Sequence, residues 1–241
     1  MPIKSSQPFV SIVMPCGKEP HRIVTALLEV DAYLSKQSFM YELLVVFYSP
    51  DMHTRDIVRR MESIIPHMRA MEVKSGVGAA IQRGMLDARG LIRIYVPPLL
   101  AQHVQLYQTT ESFFRKGYDI VSGSYYAPEI KVKNHLFLDR LYQWLTRALL
   151  HFSPRDSGSG WVAYSQKAAV RIFPLATARS DIIIGESLAL ARYEHMRVKE
   201  LPITASIRPR VSFWSYLRKI LESIGICVHF FVSGRASHKR I

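Results

Sequence analysis

The stretch Phe9-Val10-Ser11-Ile12-Val13-Met14-Pro15 decides the fold. It is rich in β-branched residues and stops at a proline, the pattern of a strand buried inside a parallel sheet. Working outward, His21 to Gln37 carries Ile23, Leu27, Leu28 and Leu34 at helical spacing. Tyr41-Glu42-Leu43-Leu44-Val45-Val46-Phe47 is a second strand, ended by Ser49-Pro50. A helix over Thr54 to Met68 follows, then a short strand at Met71 to Val73 and Gly76-Val77-Gly78. The next helix, Ala79 to Ala88, is expected to close on a left-handed Gly90. Leu91 to Val96 is a strand stopped by Pro97-Pro98, Val104 to Arg115 a helix, and Tyr118 to Gly123 a strand. Strands alternating with helices in this way predict right-handed crossovers and a doubly wound, mostly parallel α/β sheet. Its ligand site is expected at the carboxyl ends of the strands. The second half reads as helical over Leu136 to Leu150, Gln166 to Ile172, Gly185 to Glu194 and Trp214 to Ile224.

Composition bounds the function. The chain has 241 residues, 49% apolar and 21% charged, enough for one generous packed domain. Cys16 and Cys227 lie far apart with no metal-ligand spacing, which points to small buried hydrophobes in a reducing compartment. The net charge of +13 selects polyanionic partners: a phosphorylated ligand, an anionic leaflet or nucleic acid. Nucleic acid is disfavoured, because no zinc-finger, aromatic RNA-binding or basic-zipper pattern is present. The N-terminus is polar, unlike a signal peptide, and no run approaches the ~18 apolar residues of a spanning helix.

The cations concentrate in the last third, at Arg208, Arg210, Arg218, Lys219, Arg235, Lys239 and Arg240. Residues 1–210 read as the α/β domain and 211–241 as a basic amphipathic tail. Phe213, Trp214, Leu217, Leu221 and Ile224 share one side, with Arg218, Lys219 and Glu222 mostly on the other. Such a helix suits an anionic membrane interface, and packing on the domain's own core is the competing reading.

Six segments in order resemble the family 2 glycosyltransferases, which have the GT-A fold, and in particular the group that moves a sugar from a nucleotide to a polyprenyl phosphate such as dolichyl phosphate. They are Val10 to Pro15 with Glu19; Tyr41 to Val46; Gly76 to Ala80 with Gly84 to Gly90; Gly117 to Ser124; Asp156 to Trp161; and Val198 to Ile203. The resemblance implies nucleotide-binding positions at Pro15, Lys18, Glu19, Tyr48, Gly76 and Gly78. It places Asp156 as the catalytic-side aspartate near the transferred sugar, and Glu186 on the acceptor side.

The departures from the family pattern are chemical. The family's Pro-x-x-Asn-Glu turn reads Pro15-Cys16-Gly17-Lys18-Glu19, so a lysine stands for the asparagine. Lys18 supplies a point charge for a diphosphate, or is an ordinary solvated lysine. The family's Asp-Asp-Gly-Ser is Phe47-Tyr48-Ser49-Pro50; Tyr48 stacks on a base or simply packs. The Asp-x-Asp that would hold Mg²⁺ or Mn²⁺ on the sugar nucleotide's phosphates is Val96-Pro97-Pro98, which has no side-chain oxygen. Glu186 lacks its acidic companion, replaced by Ile184, and equally suits a helix N-terminus; Asp156 equally suits a turn. Gly76 and Gly78 still permit close backbone approach to a ligand.

These losses predict no bound metal or other cofactor, and reduced or abandoned metal-dependent transfer. The protein would then bind a nucleotide sugar, a polyprenyl phosphate or a partner protein, on the cytoplasmic face of a membrane and in the service of the cell envelope. The alternative is an active inverting transferase that works without metal, with Lys18 or another cation stabilising the leaving group.

Overall fold

The computed structural model describes residues 8–124, 144, 160–203 and 213–237. The first strand, β1 (Val10–Cys16), is buried along its whole length. On either side of it lie β2 (Tyr41–Tyr48) and β4 (Ile92–Tyr95), both parallel to it, and β3 (Met68–Val73) runs parallel beside β2. β5 (Ile120–Ser124), β6 (Val162–Ser165) and β7 (Val198–Pro202) complete a seven-stranded sheet of order β3-β2-β1-β4-β6-β5-β7. β6 alone is antiparallel, to both β4 and β5. This is the expected doubly wound, mostly parallel arrangement.

Side-chain alternation along the strands builds a core on each face. Ile12, Met14, Leu43, Val45 and Phe47 face α1 (Pro20–Leu34), α2 (Met52–Ile64), a 3₁₀ segment (Pro98–Leu106) and α4 (Tyr107–Arg115). Val13, Leu44 and Tyr95 face α3 (Val77–Asp87), α5 (Gln166–Ile172) and α6 (Ile183–Tyr193). Helix α3 comes so close that a Cβ on Gly84 would lie 2.3 Å from Val13 Cγ1 and 3.0 Å from Val46 Cγ2. The last helix, α7 (Phe213–Ser237), reaches the second core through buried Ile226.

Several expected boundaries move. Helix α2 ends at Ile64 rather than Met68, because Ile65 precedes Pro66 and takes an extended conformation. Gly90 has no positive φ. It is needed because its backbone lies against β1, where a Cβ would meet Ser11 Oγ at 2.5 Å and Ser11 N at 2.7 Å. β6 is a strand that the helical reading of the second half missed; its four residues are too few to show a period. The helix read over Leu136 to Leu150 and the boundary at residue 210 lie outside the described residues.

At the amino edge of the sheet a buried carboxylate joins three elements. Glu42 accepts from Ser11 Oγ at 2.6 Å, Arg69 Nη2 at 3.0 Å and the Arg89 backbone N–H at 2.6 Å. That network is structural, and lies opposite the strand ends where a ligand is expected.

Candidate functional site

Because β1 to β4 are parallel, their carboxyl ends share one edge. That edge gathers the turn Gly17–Glu19, the Tyr48–Ser49 corner, Lys74 to Gly76, and Val96 to Pro98. Ser49 holds a φ of 51°, in the left-handed region. A second layer of backbone, residues 177–182 ahead of α6, folds over the same edge. Gly78 donates its N–H to Arg179 O at 2.9 Å, and a Cβ there would lie 2.3 Å from Ala178 O. A Cβ on Gly76 would lie 3.0 Å from Arg179 O. The backbone that these two glycines admit in this structure is the chain's own 178–179 segment.

Tyr48 is half-buried, with its ring against the turn after β1; a Cβ on Gly17 would touch its Oη at 3.0 Å. Burial first, then the charges of Glu19, Cys16 and Asp181, push its phenol pKa upward. Asp181 also acts on buried Tyr95, whose pKa is raised mainly by burial. The Cys16 thiol is pushed up to about 12 by burial, with Glu19 and Asp51 adding to it. It is a proton-bearing packing group and no nucleophile.

The carboxylates around this edge are each engaged by the chain itself. Glu19 pairs with Arg22 at 3.0 Å. Asp51, which sequence reading passed over, caps α2 by accepting from Thr54 N at 2.7 Å; its hydrogen bonding to Thr54 first, then the nearby His53 and Lys18, hold its carboxyl below the usual range. Asp181 pairs with Lys219 at 2.6 Å. Glu222 accepts the backbone N–H groups of Arg179 and Ser180 at 2.7 and 3.0 Å.

Glu186 is fully buried in the first turn of α6. Its two oxygens accept from Thr177 N, each at 2.9 Å, from Thr177 Oγ1 at 2.8 Å and from Ala178 N at 2.8 Å. In this structure the carboxylate expected on the acceptor side holds the loop that leans on Gly76 and Gly78. No signal in the sequence distinguishes the two uses.

Pro15 is buried in β1 and Lys18 exposed in the turn that follows it. Asp156 lies outside the described residues. Gly160, four residues on, does meet this edge: its φ is +75°, and a Cβ on it would lie 3.3 Å from Pro97 Cγ. Where a family 2 enzyme presents two carboxylates, this protein presents buried Val96 and the rings of Pro97 and Pro98. Among the described residues no group of three or more His, Cys, Asp or Glu side chains is placed to hold a metal ion. Among the described residues the donor set at this edge does not fit the family's divalent ion.

Helix α7 closes the site from outside. Lys219, Glu222, Ser223 and Ile226 form one stripe directed at the domain, with Ser223 and Ile226 buried. Leu217, Leu221, Ile224 and Val228 form the opposite stripe and are exposed, Leu221 at 61%. The expected amphipathicity is present, but it is the polar stripe that packs and the apolar stripe that faces outward. No helix among the described residues is long and apolar enough to cross a membrane.

Comparison with known proteins agrees with this geometry. No protein-family model matches the chain. Over 217 residues it is 24% identical to the dolichyl-phosphate beta-glucosyltransferase ALG5C of Trichomonas vaginalis, covering 82% of this chain and 64% of that one. ALG5A of the same organism is 24% identical over 210 residues, covering 81% and 65%. The chain thus spans a little under two thirds of the length of these relatives. Among solved structures, the glucosyl-3-phosphoglycerate synthase of Mycobacterium tuberculosis superposes with a TM-score of 0.69 at 15% identity, covering 94% of this chain and 81% of that one. The same enzyme with Mn²⁺, uridine diphosphate and phosphoglyceric acid gives 0.68 at 16% identity, covering 93% and 80%. The likeness to family 2 glycosyltransferases of the polyprenyl-phosphate group stands, and the fold is of the GT-A type.

Proposed function

We propose that this relative of the dolichyl-phosphate glucosyltransferases is a peripheral membrane protein that binds a nucleotide sugar or polyprenyl phosphate in its GT-A cleft and has given up metal-assisted sugar transfer. One observation carries the reading: among the described residues the carboxylates Glu19, Asp51, Asp181 and Glu222 around the cleft edge are bound by the chain's own donors, and Val96-Pro97-Pro98 offers no side-chain oxygen where a metal would bridge the phosphates. A diphosphate leaving group needs positive charge in the transition state. The chain keeps Lys18 at the end of β1, with no ion pair among the described residues, and its charge already acts on Asp51. That lysine favours the second reading, a slow inverting transferase working without metal.

The membrane component rests on α7. Its exposed stripe of Leu217, Leu221, Ile224 and Val228, beside exposed Arg218 and Trp214, is suited to the interface of an anionic leaflet, as the cytoplasmic one is. The net charge of +13 adds long-range attraction.

Thermal-shift titration with UDP-glucose and GDP-sugars, with and without Mn²⁺, tests the cleft. The expected result is stabilisation that Mn²⁺ leaves unchanged, with no transfer to dolichyl phosphate. Mn²⁺-dependent binding or transfer would overturn the proposal, whereas metal-free transfer that Lys18→Ala abolishes would establish the second reading. Flotation with phosphatidylserine vesicles tests α7, and Leu221→Glu is expected to abolish it.

A further inference from the structure

Helix α7 does more than cover the domain, because its polar stripe grips the same loop that forms the cleft wall. Glu222 Oε1 accepts from both Arg179 N and Ser180 N, and Lys219 Nζ meets Asp181 Oδ2 at 2.6 Å, so three consecutive loop residues are held by one turn of helix. From below, Glu186 holds Thr177 and Ala178. On the cleft side, Arg179 O receives the Gly78 N–H at 2.9 Å at the start of α3, a helix whose N-terminus opens onto the nucleotide edge. Arg179 is thus bonded to α7 through its N–H and to α3 through its carbonyl.

We infer that Lys219 and Glu222 form a clasp that couples α7 to the cleft wall, so that an anionic bilayer engaging the helix's outer face alters the position of residues 177–182 and of the α3 N-terminus. The two outer residues Leu221 and Ile224 flank Glu222 in sequence, and a rigid helix cannot shift its outer stripe without moving the carboxylate. Lys219 and Glu222 are positioning residues, acting on a ligand only through the loop. The clasp itself rests on geometry alone; its operation by a bilayer rests on the membrane reading above.

Amide hydrogen exchange on the full chain tests this. Glu222→Ala is expected to raise exchange at Arg179 and Ser180 by about tenfold or more, the size supported by loss of a charge-assisted bond. Exchange at Gly78 is expected to rise with them, although Glu222 does not touch Gly78. Glu222→Gln, which keeps one acceptor oxygen, is expected to restore most of the protection. A rise confined to Arg179 and Ser180, with Gly78 unchanged, would show a local cap and overturn the coupling. Should Glu222→Ala unfold the chain, Lys219→Met, which removes only the exposed-side ion pair to Asp181, provides the same comparison at Gly78. With phosphatidylserine vesicles, the wild type is expected to change its exchange at residues 78 and 179–180 while Glu222→Ala shows no further change. Vesicle-bound wild type with unchanged exchange there overturns the coupling. Failure to bind vesicles, with the solution pattern as expected, sinks the membrane reading and leaves the clasp intact.

Discussion

Replacing Glu186 by alanine removes the carboxylate that holds the 177–178 backbone to α6. The side chain is fully buried and accepts from Thr177 N, Thr177 Oγ1 and Ala178 N at 2.8–2.9 Å. Thr177 is exposed, so its hydroxyl turns to water at little cost. Ala178 is 6% exposed, and its N–H is left without an acceptor. An orphaned buried donor costs about 1–3 kcal/mol, and the Thr177 N–H and the vacated side-chain volume add to that. The lost carboxylate returns part through its own relieved desolvation, which gives a net loss of about 3–4 kcal/mol. For a chain of this size, about 2–4 °C per kcal/mol converts this to a Tm lower by roughly 6–16 °C in differential scanning calorimetry. Glu186→Gln is expected to fall between, because its amide nitrogen cannot accept from a backbone N–H. A Glu186→Ala protein melting within about 2 °C of wild type would refute the structural assignment; if it also lost nucleotide-sugar binding, a ligand-facing role would take its place.

Gly84→Ala is expected to cost about 1–3 kcal/mol, measured by urea unfolding, because the new methyl would overlap Val13 Cγ1 at 2.3 Å. Cys16 is expected to resist iodoacetamide at pH 8 in the native state and to label once the chain is unfolded in urea. The sign of its linkage is set by the raised pKa: from its ordinary value of 9.0 up to about 12 the unfolded thiol ionises and the folded one does not, so Cys16 makes stability fall with rising pH across that window, an effect that Cys16→Ala removes from the pH profile. Gly160→Ala is expected to destabilise, since the residue holds a φ of +75° against Pro97 and Leu100, and circular dichroism melts read the loss.

The fold was largely legible because buried parallel strands write themselves as near-continuous apolar runs, each here interrupted by a single polar residue, Ser11, Glu42 or Arg93. Val10 to Pro15, Tyr41 to Phe47 and Leu91 to Val96 need no partner to be recognised. What escaped was set by distant partners. Asp181 and Lys219 are 38 residues apart, and Arg179 and Glu222 are 43 apart, so no local window joins them. Glu186 shows the same limit at shorter range: its sequence context reads as a family position or as a helix N-terminus, while its acceptors' partners lie eight and nine residues upstream in a loop with no periodicity. Gly76 and Gly78 read as places of close approach and Gly90 as a left-handed helix end, yet which backbone lies against each of the three is a tertiary fact. The orientation of α7 was beyond reach for a related reason. Its two stripes are equally clear on a helical wheel, and only the presence of Asp181 and two free backbone N–H groups on the domain decides which one packs.

A lost motif alone would say little, since one carboxylate elsewhere in the fold can stand in for another. Among the described residues, however, Glu19, Asp51, Asp181 and Glu222 are already committed to partners within the chain. Asp181 acts electrostatically on Tyr48 and Tyr95 at the strand ends, which makes it a candidate among the described residues to inherit a metal, and Lys219 pairs with it. Releasing it would require α7 to let go. Lys219→Met therefore separates two histories of this cleft. If the variant gains Mn²⁺ affinity in isothermal titration, the ion site is latent and the clasp masks it. If it gains none, the edge has lost the second oxygen donor that any divalent site there needs, and the chemistry has been replaced by structure.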